Sequence, residues 1–402
     1  MTVLDLQIDP TVRGWSPELP TVYQELADRA GQLAASLAGE DHLWDAEGRF
    51  PWPEVAVLGS HGVLGLTHPE EAGGAGLPRL AAVVVLEALA QHSFTLAEAT
   101  QIAANGPAYV LSTIAAPRLR DRWVPRVLAG ETLISIAITE VDAGSSLAEI
   151  ATNATSDPVG WSVSGTKCFV TGGSLAGAHL VMARMGESPG VRGLGYVLVD
   201  AGAPGCDVRQ VHRKIGGNAT PEAVIDFAVA GIDDEAIVIH PDSGGFALAM
   251  QSYNAMRIGI AGMCCGVARR ALDLAEAHLA QRVQGGRPLA RRQGLQWRIA
   301  ELELELESAR LLTYRAASRV DEHGFPDGLD TARAKLAASR VAVAAADAAI
   351  QMLGWRGIVS AEDHPAERIL REVRGWTIAG GTSESLLNML GRAALSGHGS
   401  GR

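Results

Sequence analysis

Three stretches toward the C-terminal end, 246–281, 293–323 and 329–353, are rich in helix formers and poor in breakers. Helical runs of that length need partners to bury their apolar faces, which predicts an antiparallel bundle rather than isolated surface helices. Between Glu301 and Glu307 glutamate and leucine alternate as in a strand. The surrounding residues are strong helix formers, so the run reads as helix with a solvated acidic face.

The first third also reads helical. Val22, Leu26, Ala30, Leu33 and Leu37 recur at helical spacing within 20–37. Shorter amphipathic patterns follow over 53–62, 80–91, 107–114 and 117–128, the last closed by Gly130. A glycine-rich segment, 70–77, reads as a loop. The character changes at Leu133. Short β-rich runs over 134–138, 160–170, 180–184, 195–199, 207–211 and 223–228 are separated by Gly, Asp and Ser. Strands at this spacing predict a small β-barrel or sandwich of about a hundred residues. The expected fold class is therefore α+β: an N-terminal helical domain (1–132), a central small β-barrel domain (133–240) and a C-terminal helix bundle (241–402).

Composition narrows the chemistry. Over 402 residues, 47% are hydrophobic and only 5% aromatic, so the helices must pack through small side chains. A net charge of −11 without a Lys/Arg run makes nucleic acid and anionic membrane poor partners. Cys168, Cys206, Cys264 and Cys265 lack metal-ligand spacing, and two are adjacent in an apolar stretch. Reduced thiols in a cytoplasmic protein are expected. Residues 1–20 do not look like a signal peptide, and no apolar stretch reads as long and clean enough to span a bilayer. The histidines are scattered, and His61 and His68 lack the spacing of a helical ligand pair, so no metal is expected.

Four segments carry a more specific signal. Ala137-Ile138-Thr139-Glu140-Val141-Asp142-Ala143-Gly144-Ser145-Ser146 joins a strand to a small-residue turn. Gly165-Thr166-Lys167-Cys168-Phe169-Val170-Thr171-Gly172 ends another strand on an aromatic and a hydroxyl. Pro69-Glu70-Glu71-Ala72-Gly73-Gly74-Ala75-Gly76 precedes them, and Gly381-Thr382-Ser383-Glu384 lies near the end. In this order, and over nearly the whole chain, they resemble motifs of the acyl-CoA dehydrogenase family.

The resemblance implies a flavin, FAD with FMN as the alternative, beside an acyl thioester carried on CoA or an acyl-carrier protein. It also implies an electron acceptor, here of unknown identity, and a homodimer or homotetramer. Ile138, Thr139, Gly144, Ser145, Phe169 and Thr171 would line the flavin, with Ser145 also facing substrate. Strand-end hydroxyls suit that task because they bond the ring without adding charge. A plain β-turn is the bland alternative for the first motif. Arg282, Gln293, Gln351 and Gly354 match positions that hold the adenosine half, with Thr382 and Glu384 completing the cofactor set. Two departures stand there: Gly285 replaces a family phenylalanine, and Trp355 replaces a glycine. Trp355 could stack on an aromatic group or simply pack. Asn254, Arg257, Gly380 and Gly381 would face the substrate, with a surface ion pair as the alternative for Arg257. His364-Pro365-Ala366-Glu367-Arg368 and Arg371-Glu372 resemble the steps before the catalytic loop.

Family chemistry removes the acyl α-proton with a carboxylate while hydride leaves the β-carbon. That base commonly precedes Gly-Thr-Ser-Glu, or else stands just before the helix arginine. The two addresses hold Gly380 and Met256. No catalytic residue is therefore assigned. Glu140 and Glu384 match ordinary motif positions and are expected to serve structure. The reading is a flavoenzyme with altered base chemistry; a flavin-dependent oxygenase and a noncatalytic binding protein on the same fold are the alternatives.

Overall fold

The computed structural model describes residues 19–360 and 365–396. His364 and the tail beyond Ser396 lie outside the described residues. Helices α1 (Thr21–Leu37), α2 (Asp41–Glu47), α3 (Trp52–Ser60), α4 (Arg79–His92), α5 (Phe94–Asn105), α6 (Pro107–Ile114) and α7 (Pro117–Leu128) form the first block. Pro107 and Pro117 begin their helices, where a missing N–H costs nothing. The sequence pattern missed α5, which is buried on nearly every side and offers no polar face to create a period. Its start is marked by Ser93, whose Oγ accepts from Leu96 N at 3.1 Å.

The middle of the chain folds into β1 (Leu133–Ala137), β2 (Asn153–Asp157), β3 (Gly160–Thr171), β4 (Ala176–Met185), β5 (Leu194–Asp200), β6 (Cys206–His212), β7 (Glu222–Ile232) and β8 (Ile237–Ile239). Hydrogen bonding runs in the order β6-β7-β3-β2-β4-β5-β8, with β1 pairing β4 in parallel. Among the described residues the two end strands, β6 and β8, do not pair, so the expected barrel is an open one. Alternation splits the sheet into two faces. Val181, Ala183, Val197, Val199, Ile225 and Phe227 enclose a core of the sheet's own. Leu180, Met182, Tyr196 and Leu198 point the other way, onto the helices. β2 escaped the sequence reading because Asn153–Asp157 is polar and mostly exposed.

The last block contains α8 (Gly245–Gln281), a short hairpin of β9 (Val283–Gln284) and β10 (Arg287–Pro288), then α9 (Gln293–His323), α10 (Gly328–Leu353), α11 (Trp355–Ile358), α12 (Ala366–Arg374) and α13 (Ser383–Ser396). Three long helices with α12 and α13 against α10 make up this bundle, and α4 from the first block also packs on α8 and α9. Close approach of α8 to the first block depends on glycine. A Cβ at Gly266 would stand 2.1 Å from Glu87 O, and one at Gly259 only 1.8 Å from Gln101 Oε1. Contrary to the sequence expectation, α10 is long and apolar enough to cross a membrane by length and composition. Here it lies in the bundle, with Ala334, Ala338, Ala342 and Ala345 fully buried.

Candidate active site

The site is built where α8 and α10 meet the loop 375–382. From α8, Arg257 Nε donates to Gly380 O at 2.7 Å, and Nη1 donates to Asn254 Oδ1 at 2.8 Å. The guanidinium also lies over the Tyr253 ring, 4.9 Å from its centroid. Burial pushes the Arg257 pKa down, against the pull of Tyr253. From α10, Lys335 Nζ donates to Gly381 O at 2.7 Å. Lys335 is fully buried. That burial brings its amine down to about 8, with Cys264 and Glu384 opposing and Arg257 adding to the fall. Two cations thus hold two successive carbonyls.

Both carbonyls belong to glycines in left-handed backbone, φ +74° at Gly380 and +97° at Gly381. A side chain at 380 would begin in a conformation that L-residues avoid, with its Cβ 3.1 Å from Ile260 Cδ1. Met256, the second address, is buried, and its carbonyl accepts from Gln101 Nε2 at 3.0 Å. Neither position carries a carboxylate.

The loop after β1 forms a second wall. Glu140 accepts from the backbone N–H of Ala151 at 2.8 Å and Thr152 at 2.9 Å, and from Lys167 Nζ at 2.8 Å. Burial opposes its ionisation, but the bonds from Lys167, Thr152 and Ala151 hold its pKa below the usual carboxylate range. Lys167 also donates to Ile138 O at 2.8 Å, while Cys168 N donates to Thr139 O at 2.8 Å. Glu140 therefore closes the loop that presents Gly144 and Ser145 to solvent. Thr382 Oγ1 accepts from Ser385 N at 3.1 Å, capping α13, and Ser385 Oγ lies 3.3 Å from Ser145 Oγ. Ser145 and Thr382 are thereby brought together from opposite ends of the fold. Glu384 sits exposed in the first turn of α13, where a negative charge suits the helix dipole.

The third wall is the end of β3. Phe169 is the one non-glycine residue with positive φ among those described, at +53°. Its ring is 61% exposed and stacks on His212 at 5.4 Å. Two residues on, Thr171 Oγ1 stands 3.1 Å from each oxygen of Glu222. Strained backbone that keeps a large aromatic in the open suggests a planar partner. Hydroxyls, backbone groups and one aromatic face form a donor set that fits a flavin ring.

The remaining predicted residues stand apart. Arg282, Gln293, Gln351, Gly354 and Trp355 are exposed, and among the described residues none is hydrogen-bonded to the 254–257 or 380–385 segments. Gly285 and Gly286, at φ +60° and +76°, form the two-residue turn between β9 and β10. That is the chemistry of a tight hairpin, which the sequence reading took only as a lost phenylalanine. Gly354 ends α10 at φ +63°, ψ −134°, and a Cβ there would meet nothing within 4 Å. Its glycine serves conformation rather than space. Sequence reasoning missed Lys335 and Glu222. The one sequence feature that marks the first, a lysine among the alanines of α10, does not tell whether its amine meets water or a carbonyl.

Comparison with known proteins agrees with this architecture. Three family models match in succession: acyl-CoA dehydrogenase N-terminal domain over 23–131, middle domain over 135–228 and C-terminal domain over 243–395. A 3-sulfinopropanoyl-CoA desulfinase of Paraburkholderia xenovorans is 34% identical, the match covering 92% of this chain and 95% of that protein. The mitochondrial short-chain specific acyl-CoA dehydrogenase of Sus scrofa is 33% identical, over 95% of this chain and 91% of its own length. Among solved structures, a glutaryl-coenzyme A dehydrogenase in complex with glutaryl-CoA superposes with a TM-score of 0.89. It is 28% identical, with 94% of this chain and 96% of that one covered.

Proposed function

The chain belongs to the acyl-CoA dehydrogenase family and is an FAD-dependent acyl-CoA oxidoreductase by descent; we propose that it acts on an acyl thioester without a carboxylate base at either usual address. The observation that carries this reading is the 380–381 turn. Glycine there is fitted to left-handed backbone and held by Arg257 and Lys335 through its carbonyls, so the loop is shaped around the missing side chain.

FAD, when bound, supplies the acceptor for a hydride. The chain's own residues do the rest. Phe169 and Thr171 wall the ring from β3, and Ile138, Thr139, Gly144 and Ser145 from the loop after β1. The Gly380 N–H remains a donor for a thioester oxygen. Arg257 holds the Gly380 carbonyl, which orients the peptide that carries the Gly381 N–H, and Lys335 holds the next peptide through the Gly381 carbonyl. With no carboxylate at 380 or 256, α-proton removal from a plain saturated acyl-CoA is slow. General-base catalysis is typically worth about 10²–10⁴-fold, which sets the expected deficit. An acyl-carrier protein is an alternative thioester bearer.

Similarity to the desulfinases favours a second reading, a thioester bearing a leaving group on C3. Desulfination of a 3-sulfino thioester breaks a carbon–sulfur bond, with water giving hydroxide to sulfur and a proton to C3. The products are sulfite and the saturated acyl thioester, with no external oxidant.

The test is anaerobic flavin reduction by saturated acyl-CoAs, followed by stopped-flow. Wild type should reduce slowly, and Gly380→Glu should be faster. Gly380→Ala is the control, since a Cβ in left-handed backbone costs about 1–2 kcal/mol by itself. Fast reduction of wild type would overturn the proposal. Sulfite release from 3-sulfinopropanoyl-CoA, with no net flavin reduction, would select the second reading.

A further inference from the structure

Behind Thr171 lies a charged group that no wall of the site requires. Glu222, at the start of β7, receives the Thr171 hydroxyl at 3.1 Å on both carboxyl oxygens. Lys214 Nζ stands 3.4 Å from Glu222 Oε1 and donates to Thr220 O at 2.8 Å. Both side chains are largely shielded, 24% exposed for Lys214 and 17% for Glu222. Beneath them Glu98 of α5 is 3% exposed, and its Oε2 has no hydrogen-bond partner among the described residues.

We propose that the Glu222–Lys214 ion pair, acting through the Thr171 hydroxyl, sets the electron affinity of the flavin bound against β3. The inference rests on the flavin reading above and adds a positioning pair to it. Among the described residues the hydrogen bonds of Glu222 come from Thr171 and Lys214, so the carboxyl is held as an acceptor. Its charge balances that of Lys214, so the flavin meets a neutral pair. Burial raises the Glu222 pKa, while Lys214, Thr171 and the nearby His212 favour its charged form. Burial also pushes Glu98 up to about 7, with Lys214 opposing and Glu222 adding to the rise, so burial favours its neutral form beneath the pair. In a site screened from water, loss of either partner leaves an uncompensated charge beside the ring. Reduced flavin carries more negative charge than oxidised flavin, so a bare Lys214 favours reduction.

The measurement is the midpoint potential of the purified flavoprotein at pH 6.5, by equilibration with reference dyes, with flavin occupancy read from absorbance. Glu222→Gln keeps the shape and an acceptor for Thr171 but removes the charge. It should shift the reduced-to-oxidised ratio about tenfold toward reduced, about 30 mV for a two-electron couple. Adding Lys214→Met removes the excess cation and should return the potential to within about threefold of wild type in that ratio. A local disturbance of packing would not be repaired by a second substitution. An unchanged potential in Glu222→Gln overturns the inference, and so does a double variant that stays shifted like the single one. If wild type takes up no flavin, the cofactor reading fails and takes this inference with it.

Discussion

At the scale of single residues, buried ionisable groups carry the site's most exposed predictions. Glu98 sits at the edge of the cluster with its pKa raised from 4.5 to about 7, chiefly by burial. A group raised on folding contributes stability that is complete below its unfolded pKa and is lost as pH climbs through the folded one. Wild type should therefore weaken between pH 4.5 and 7, by on the order of 3 kcal/mol if Glu98 acts alone. Glu98→Gln should unfold at higher urea than wild type at pH 8 and at nearly equal urea at pH 5. An equal gap at both pH values would remove Glu98 as the cause. Gly380 was legible in the sequence because a motif frames it on one side. Lys335 was not, since a single lysine among alanines looks the same whether it faces water or a carbonyl. Only the fold, which brings residue 381 over α10, separates the two.

At the scale of elements, α2, α8 and α12 are joined by a buried charge network. Arg368 bonds Asp41 and Glu372, and Arg270 approaches the same two carboxylates at 3.7 and 3.9 Å. Burial pushes Glu372 up to about 7, with Asp41 adding to the rise and Arg368 and Arg270 opposing. Replacing Arg368 with Met strands two carboxylates and should cost about 3–5 kcal/mol in denaturant unfolding. A loss under about 1 kcal/mol would mean that Arg270 alone compensates both. Elements with one wet face, such as α1 and α9, were readable from their period. α5 and β2 were not: one is buried all round and the other is polar, and a pattern needs both faces. The β9–β10 turn shows a third kind of failure. Gly285 reads in the sequence as a lost phenylalanine, whereas the turn requires positive φ at both Gly285 and Gly286.

At the scale of the molecule, exposed apolar residues gather on the last block: Trp297 and Leu304 on α9, Trp355 and Ile358 on α11, Leu387 and Leu395 on α13. Such a surface is expected to be covered by a second copy, giving a homodimer or a dimer of dimers. Light scattering that finds a stable monomer with full flavin occupancy would remove this expectation. The order of helical, β and helical blocks was plain from the chain's changing periodicity. Their union was not, because one apolar core takes in Tyr23 and Leu26 of α1, Val83 of α4, Cys264 of α8 and Val341 of α10. The β domain is thus spliced into a single helical body whose halves are far apart in sequence. An unfoldase that threads the chain from its N-terminal end would feel that splice as brittleness. Once α4 and α5 are drawn off, α8 loses the surface its glycines were fitted to, and the C-terminal half gives way long before the motor reaches it. The sheet, with its enclosed core, would be the last place for the motor to stall.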